Sequence, residues 1–490
     1  MFEKLKNLLV RFVLWFEDRT GLWAMFGPSL THLAPRDAKW WYVFGSATLL
    51  CFAIQVASGV GLAFAYIPSS GDAYQSLQYI TNVAPLGRFL RAMHYFGASG
   101  MVLLVGIHMG QVFLHGSYKF PREMNWFSGV ALLALTIVMG FTGQLMRWDS
   151  NAVWSIVVAA EQAGRVPFVG KWLAHFIMAG DAVGGATLGR FYAIHVFVVP
   201  GLLFAGIGLH LLLVMKHGIA EMPQVGQIVD PKTYREEYHA RLEKTGIPFW
   251  EMAWRDSFFA LATTLVICFC AWYLGPPPVD VPPDPSILDT APAPDWYLLW
   301  YFAVLSLANT ALEDYIILGA PLVIGLLLFC IPILSNSGER HPARRPLSVI
   351  ALVTAVLFVF GFWISAMHMS WTPNFHPKPL SAEVLGTPGT AHYRGGEIFQ
   401  SKSCINCHLM AGEGGRKGPD LTYIGDRATR DQLVIRINNG GIGMPGFAGN
   451  LTPQELNDLV VFLESRKHRF DEAAGEGAKP ESLPLGTSAR

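Results

Sequence analysis

The sequence predicts an all-α fold: a polytopic transmembrane helical bundle of about seven spans, followed by a small C-terminal all-α domain. Three observations carry this. Hydrophobic residues make up 52% of the 490 and charged residues only 15%, with a mean hydropathy of +0.35. Seven windows are apolar for long enough to cross about 30 Å of hydrocarbon, near residues 42–66, 90–114, 127–147, 191–215, 256–275, 315–334 and 346–368. Lys and Arg alternate between rich and poor loops, the pattern that orients a membrane protein. Net charge is zero, so there is no basic face of the kind nucleic-acid binding needs.

Taken in order, the first stretch mixes Glu3, Glu17 and Asp18 with apolar residues and reads as an amphipathic surface helix rather than a cleavable signal peptide. Segment 1–41 carries Lys4, Lys6, Arg11, Arg19, Arg36 and Lys39. The loop after the second span has Lys119 and Arg122, residues 216–255 carry six more cations, and Arg340, Arg344 and Arg345 follow the sixth span. The alternate loops hold only Arg88, then Arg165, Lys171 and Arg190, and none between the fifth and sixth spans. The positive-inside rule therefore places the N-terminus in the cytoplasm, and an odd number of spans puts everything after residue 370 on the outer face. The expected location is the cytoplasmic (inner) membrane of the cell.

Four histidines stand inside two of the spans, His94 and His108 in one, His195 and His210 in the other. An imidazole in hydrocarbon is costly unless something engages it. The intervals of 14 and 15 residues are close to four helical turns, so each helix presents both rings on one face. Two such helices side by side form two bis-histidine sites roughly 21 Å apart along the axis, a spacing suited to two haems that carry electrons across a bilayer. Gly45 and Gly59, then Gly129 and Gly143, recur at the same 14-residue interval in neighbouring spans, and glycine admits a flat ligand against the backbone. Core histidines with satisfied hydrogen bonds, or proton-relay histidines, are the competing reading.

Residues 404–408 read Cys-Ile-Asn-Cys-His, the attachment pattern for a c-type haem, with Cys404 and Cys407 forming thioethers and His408 ligating iron. Composition alone would produce such a match roughly 0.002 times in this chain. A thioredoxin-like pair would need a βαβ context, and a zinc site two further ligands. Met444 is the expected sixth ligand, since a thioether suits haem iron, and Met410 lies too near His408 to cross the ring. Thr452, Pro453 and Glu455 make a capping box that opens the last helix. Residues 391–470 thus form a compact helical domain, and 471–490, rich in Gly, Glu, Ala and Pro, a disordered tail. Cys51, Cys268, Cys270 and Cys330 sit in spans as small hydrophobes.

Residues 40–370 resemble the cytochrome b of quinol-oxidising bc complexes, in its chloroplast-like form (cytochrome b6 followed by subunit IV) joined in one chain. The carriers are Pro294-Asp295-Trp296-Tyr297, similar to the family's Pro-Glu-Trp-Tyr, with Lys119-Phe120-Pro121-Arg122-Glu123, Trp148-Asp149, Arg190-Phe191-Tyr192 and the 15-residue histidine interval. The tail is similar to class I cytochromes c. The domains expected are a four-helix haem-binding part over 1–215, a three-helix subunit IV-like part with the quinol loop over 216–370, and the cytochrome c domain. Two departures stand out: the tetrapeptide's usual Glu is Asp295, and the place of the cysteine that holds an extra haem in the chloroplast-like branch is Val43.

The resemblance implies two haem b and one covalent haem c, with His94 and His195 at the outer haem b and His108 and His210 at the inner. It implies quinol oxidation beside Asp295 and Tyr297 as catalytic residues, one electron passing to a Rieske iron–sulfur partner and the other crossing to quinone at the inner site, with both protons released outward. The fused haem c would pass electrons to a soluble or membrane-bound cytochrome c or a terminal oxidase, and the complex would be dimeric. A b/c membrane anchor serving another oxidoreductase without a Rieske partner is the alternative. A transporter with relay histidines is a third reading, and it predicts a colourless membrane domain.

Overall fold

A computed structural model describes residues 2–180, 182–284, 293–308, 310–368, 378–415, 418–441 and 444–468; the tail at 471–490 lies outside them. The described chain is overwhelmingly helical, and seven helices are long and apolar enough to cross a membrane: Phe44–Ala63, Gly87–Leu114, Glu123–Leu145, Gly185–His217, Phe249–Tyr273, Tyr315–Leu334 and Pro346–Met367. The chain is a multi-pass membrane protein. It divides into two compact units, 1–283 with 289–373, and 374–490 with 284–288.

In the membrane unit the spans are apolar on every side, because lipid replaces water as the outer solvent. Leu261, Phe269, Leu326 and Phe360 point outward, while Ala47, Cys51, Phe52, Met101, Leu104, Val199, Leu203 and Ile267 join four spans in one core. At one end, two helices, Ser150–Gly164 and Gly170–Met178, cover Trp148, Ile156, Leu188 and Phe191. Asp149 caps the first of them, its carboxylate accepting from the Ala152 N–H at 2.8 Å. The helix Phe2–Thr20 is exposed over almost its whole length.

The fourth span is not a continuous α-helix. Ile194–Val198 forms a π-helical turn around His195, and a π turn absorbs one extra residue without advancing the helix face. The interval from His195 to His210 therefore covers the same number of turns as the 14 residues from His94 to His108. In a regular helix the 15-residue interval would end about 60° past four full turns, where the 14-residue interval ends about 40° short of them.

At the opposite end, buried cations close the helix termini. Arg345 donates to the carbonyls of Phe113 and Leu114 at 3.1 and 3.2 Å, and Arg340 to those of His115 and Glu221 at 3.3 and 2.8 Å. Arg122 donates to the carbonyls of His217 and Gly218 at 3.1 and 2.9 Å, and Lys119 to Ser335 Oγ and the Ser337 carbonyl. The last turn of a helix leaves carbonyls unpaired and carries a partial negative charge, so these cations satisfy both needs at once. Two-residue strand pairs, Leu33–Ala34 with Ile247–Pro248 and Ile228–Val229 with Gly338–Glu339, staple the loops at this end.

The second unit packs helices Ala391–Ser401 and Pro453–Glu464 on a core of Phe399, Met410, Leu459, Val460 and Phe462. Arg394 clamps Asp458 at 2.7 and 3.2 Å, and Thr452 with Glu455 forms the expected capping box.

Candidate functional site

The second and fourth spans bring the four histidines together in two pairs. The imidazoles of His94 and His195 lie with centroids 6.3 Å apart, their planes at 75°. Two metal–nitrogen bonds of about 2.0–2.1 Å, with ~1.2 Å from each nitrogen to its ring centre, would place the centroids about 6.4–6.6 Å apart. The gap fits one metal ion held by two facing imidazoles. His108 and His210 form the second pair, close enough to interact electrostatically.

Glycines make the flat space between them. A Cβ on Gly143 would sit 2.7 Å from the His195 ring, and one on Gly45 or Gly59 3.2 Å from His108 or His94. Gly129 is looser, 3.7 Å from His210.

Hydroxyls fix the tautomers, a feature the histidine and glycine spacing does not reveal. His94 Nδ1 meets Ser58 Oγ at 3.0 Å, His195 Nδ1 meets Thr142 Oγ1 at 3.1 Å, and His210 Nδ1 meets Ser128 Oγ at 2.8 Å. Each hydroxyl also donates to a carbonyl of its own helix, that of Ile54, Val138 or Asn125, at 2.6, 2.9 and 3.0 Å. Its single proton is thereby used, so Nδ1 must donate and Nε2 keeps its lone pair for a metal. In sequence the signal is a Ser or Thr directly before a glycine: Ser58-Gly59, Ser128-Gly129, Thr142-Gly143.

The His94–His195 pair opens into a cavity of about 560 Å³ that is also lined by Arg147, Asp295, Trp296 and Tyr297. This volume lies in the range of pockets that enclose a sizeable organic ligand. The tetrapeptide is anchored from the third span, since Gln144 accepts from the Asp295 N–H at 3.2 Å and donates to the Ala293 carbonyl at 3.3 Å. Trp296 Nε1 donates to Ser99 Oγ at 3.2 Å. Asp295 caps no helix: the following helix, Leu299–Leu307, has Leu298 at its N-cap and no side-chain cap bond. Burial raises the Asp295 carboxyl above the ordinary carboxylate range, partly offset by the Arg147 guanidinium, with Tyr297 lowering it and Asp149 raising it further. The Tyr297 hydroxyl, buried and without an aligned hydrogen bond, is pushed up by desolvation and by Asp295 beside it. Arg147 Nε and Nη2 are likewise buried without a hydrogen-bond partner among the described residues.

In the C-terminal unit Cys404 and Cys407 stand at the two ends of a single helical turn, which leads directly into His408, and no disulfide joins them. His408 Nδ1 meets the Pro419 carbonyl at 2.8 Å, which leaves Nε2 as the ligating atom. A Cβ on Gly418 would come within 2.5 Å of that ring. Met410 is fully buried in the core, and Met444 is half-buried, bridged to Gly441 by paired backbone hydrogen bonds at 2.8 and 2.9 Å. The residues present fit a covalently held haem.

Comparison with known proteins points the same way. A family model described as cytochrome b/b6/petB matches residues 30–218, one for cytochrome b (C-terminal)/b6/petD matches 285–378, and one for cytochrome c oxidase, cbb3-type, subunit III matches 391–463. Cytochrome b6 of Acaryochloris marina and that of Mastigocladus laminosus are each 36% identical over 206 residues, 42% of this chain and 96% of the relative. A solved chain of a hyperthermophilic respiratory Complex III superposes with a TM-score of 0.61 at 25% identity, covering 73% of this chain and 98% of its own.

Proposed function

The chain belongs to the cytochrome b/b6 family with a cytochrome c domain fused behind it, and on that premise we propose that it oxidises quinol at the cavity beside Asp295 and passes the electrons on within a Rieske-containing bc complex. The observation that carries this is the shared cavity: one histidine pair and the Pro-Asp-Trp-Tyr tetrapeptide line the same 560 Å³ space. Haem b held by each histidine pair, and haem c held by Cys404, Cys407, His408 and Met444, supply one-electron transfer when bound.

The chain's own residues handle the proton and the geometry. Trp296, fixed by Ser99, and Gln144, fixing the loop, hold Asp295 towards the cavity. The Asp295 carboxylate accepts one quinol hydroxyl proton, the second is released outward to solvent, and Tyr297 stays protonated and orients the ring oxygen. Haem held by His94 with His195, and by His108 with His210, would relay one of the two electrons across the membrane towards quinone, and the other would leave to the Rieske partner. The cation distribution supports an inner-membrane setting with a cytoplasmic N-terminus and the cytochrome c domain outside. The partner set is the one the family implies: a Rieske protein, the quinone pool, a cytochrome c or terminal oxidase, and a second copy of the complex. The domain division we propose is 1–215, 216–370 and 391–470.

The purified protein should show two b-type haems to one c-type in a redox-difference spectrum with haem quantitation. Cys404→Ser with Cys407→Ser should abolish haem-stained polypeptide on a denaturing gel while the b-type absorbance stays. Covalent staining that survived in the double variant would reveal a second attachment site, against the reading of Val43.

The proton acceptor also sets a pH dependence. Because Asp295 must be ionised to accept a proton, and burial raises its pKa, turnover should fall as pH drops through a value above the usual carboxylate range. Arg147→Leu removes the cation that favours the carboxylate, so the acid limb of kcat/KM should move to higher pH. A limb that stayed in place would show that Arg147 does not act on Asp295.

A further inference from the structure

Each of the four imidazoles stands over a glycine, and in three of the four cases the residue before that glycine supplies a hydroxyl to Nδ1. The fourth differs. Before Gly45 stands Phe44, and His108 Nδ1 is buried with no hydrogen-bond partner among the described residues. The hydroxyl on the other side, Ser46, is directed to the Asp256 carboxylate and to the Val43 carbonyl at 2.9 Å. Phe44 instead packs edge-on against Phe259, ring centroids 5.7 Å apart. The difference is therefore built into both sequence and packing: the position before Gly45 carries no acceptor, its ring packs on Phe259, and the hydroxyl of Ser46 is engaged elsewhere.

A hydrogen bond from Nδ1–H to an acceptor moves electron density onto the imidazole and makes Nε2 a stronger donor. Stronger donation stabilises the oxidised metal and lowers its potential; an imidazole without the acceptor does the reverse. We propose that Phe44 is a potential-setting residue, which by withholding an acceptor from His108 raises the midpoint of the His108–His210 centre. The proposal rests on the reading that the four histidines hold two haems. Its consequence is directional: an electron that has reached this centre is held there, next to the quinone it is to reduce.

The test is a spectroelectrochemical titration of the purified full-length protein. Phe44→Ser, which places a hydroxyl in the slot of Ser58 and Ser128, should lower the midpoint of one b-type centre and leave the other unchanged. A tenfold shift of the oxidised-to-reduced ratio at fixed potential corresponds to about 59 mV for one electron. Phe44→Thr should reproduce the shift, whereas Phe44→Leu, which also removes the aromatic ring but brings no acceptor, should not. Ser128→Ala, which removes the acceptor from His210 without touching Phe44, should raise the midpoint of the same centre and decides the matter if Phe44→Ser fails to assemble. Two b-type centres that do not move in Phe44→Ser, or move equally in Phe44→Leu, or an unshifted centre in Ser128→Ala, overturn the proposal and leave the haem reading standing. A wild-type protein without two b-type centres overturns the haem reading itself.

Discussion

Replacing His108 or His210 with leucine should remove one b-type haem and stop electron transfer to quinone on that side, while the other b-type haem remains assembled and reducible by quinol. Each site is built from one imidazole of each helix, so the loss of a single ligand would leave one ring to hold the haem in a space shaped for two. The two sites are separated by about four turns of helix, and the surviving pair keeps its glycines and its hydroxyl acceptors. The measurement is haem quantitation with a quinol-reduced spectrum, in which the ratio of b to c falls from two to one. Retention of both b haems would rule out these histidines as ligands. Equal loss of both in every ligand variant would show instead that the two sites assemble as one cooperative unit.

Asp295→Asn should slow steady-state quinol oxidation by about 10²-fold, the lower end of the range for a positioned proton acceptor, with no haem lost. Asparagine keeps the size and the loop contacts, because Gln144 is bonded to the backbone of Asp295 and not to its carboxylate. What it removes is the capacity to take up a proton. Asp295→Glu restores that capacity and should turn over at near the normal rate. The opposite ordering, Asn tolerated and Glu impaired, is what a helix-capping role predicts, and the uncapped start of Leu299–Leu307 argues against such a role.

The seven spans are legible in the sequence because lipid solvation demands an uninterrupted apolar window, a signal that tertiary packing cannot erase. The four histidines and the Cys-Ile-Asn-Cys-His stretch are legible for a related reason: chemistry fixes both residue type and spacing. Arg147 and Gln144 are a different case, since they stand at the end of the third span as ordinary polar residues and acquire meaning only when the loop around residue 295 folds back onto them. The three hydroxyls are visible as letters, but a Ser or Thr in a span usually bonds its own helix, as these also do, and only the approach of the imidazole reveals the second bond. The π turn at Ile194–Val198 is hidden in the same way: a 15-residue interval passes for four α-helical turns until the ring directions are compared.

The cations that close the helix ends carry a timetable. Arg340 and Arg345 cap the carbonyls of residues 113–115 from 225 to 232 positions further along the chain. During synthesis the second span is therefore made well before the side chains that cap its last carbonyls, which follow only after the sixth span. The late segments complete the ends of the early helices. The same bonds join the 1–215 part to the 216–370 part through side chain and backbone alone, with no need for a peptide link between them. A bundle fastened in this manner tolerates being divided between two polypeptides, provided both arrive in the same bilayer.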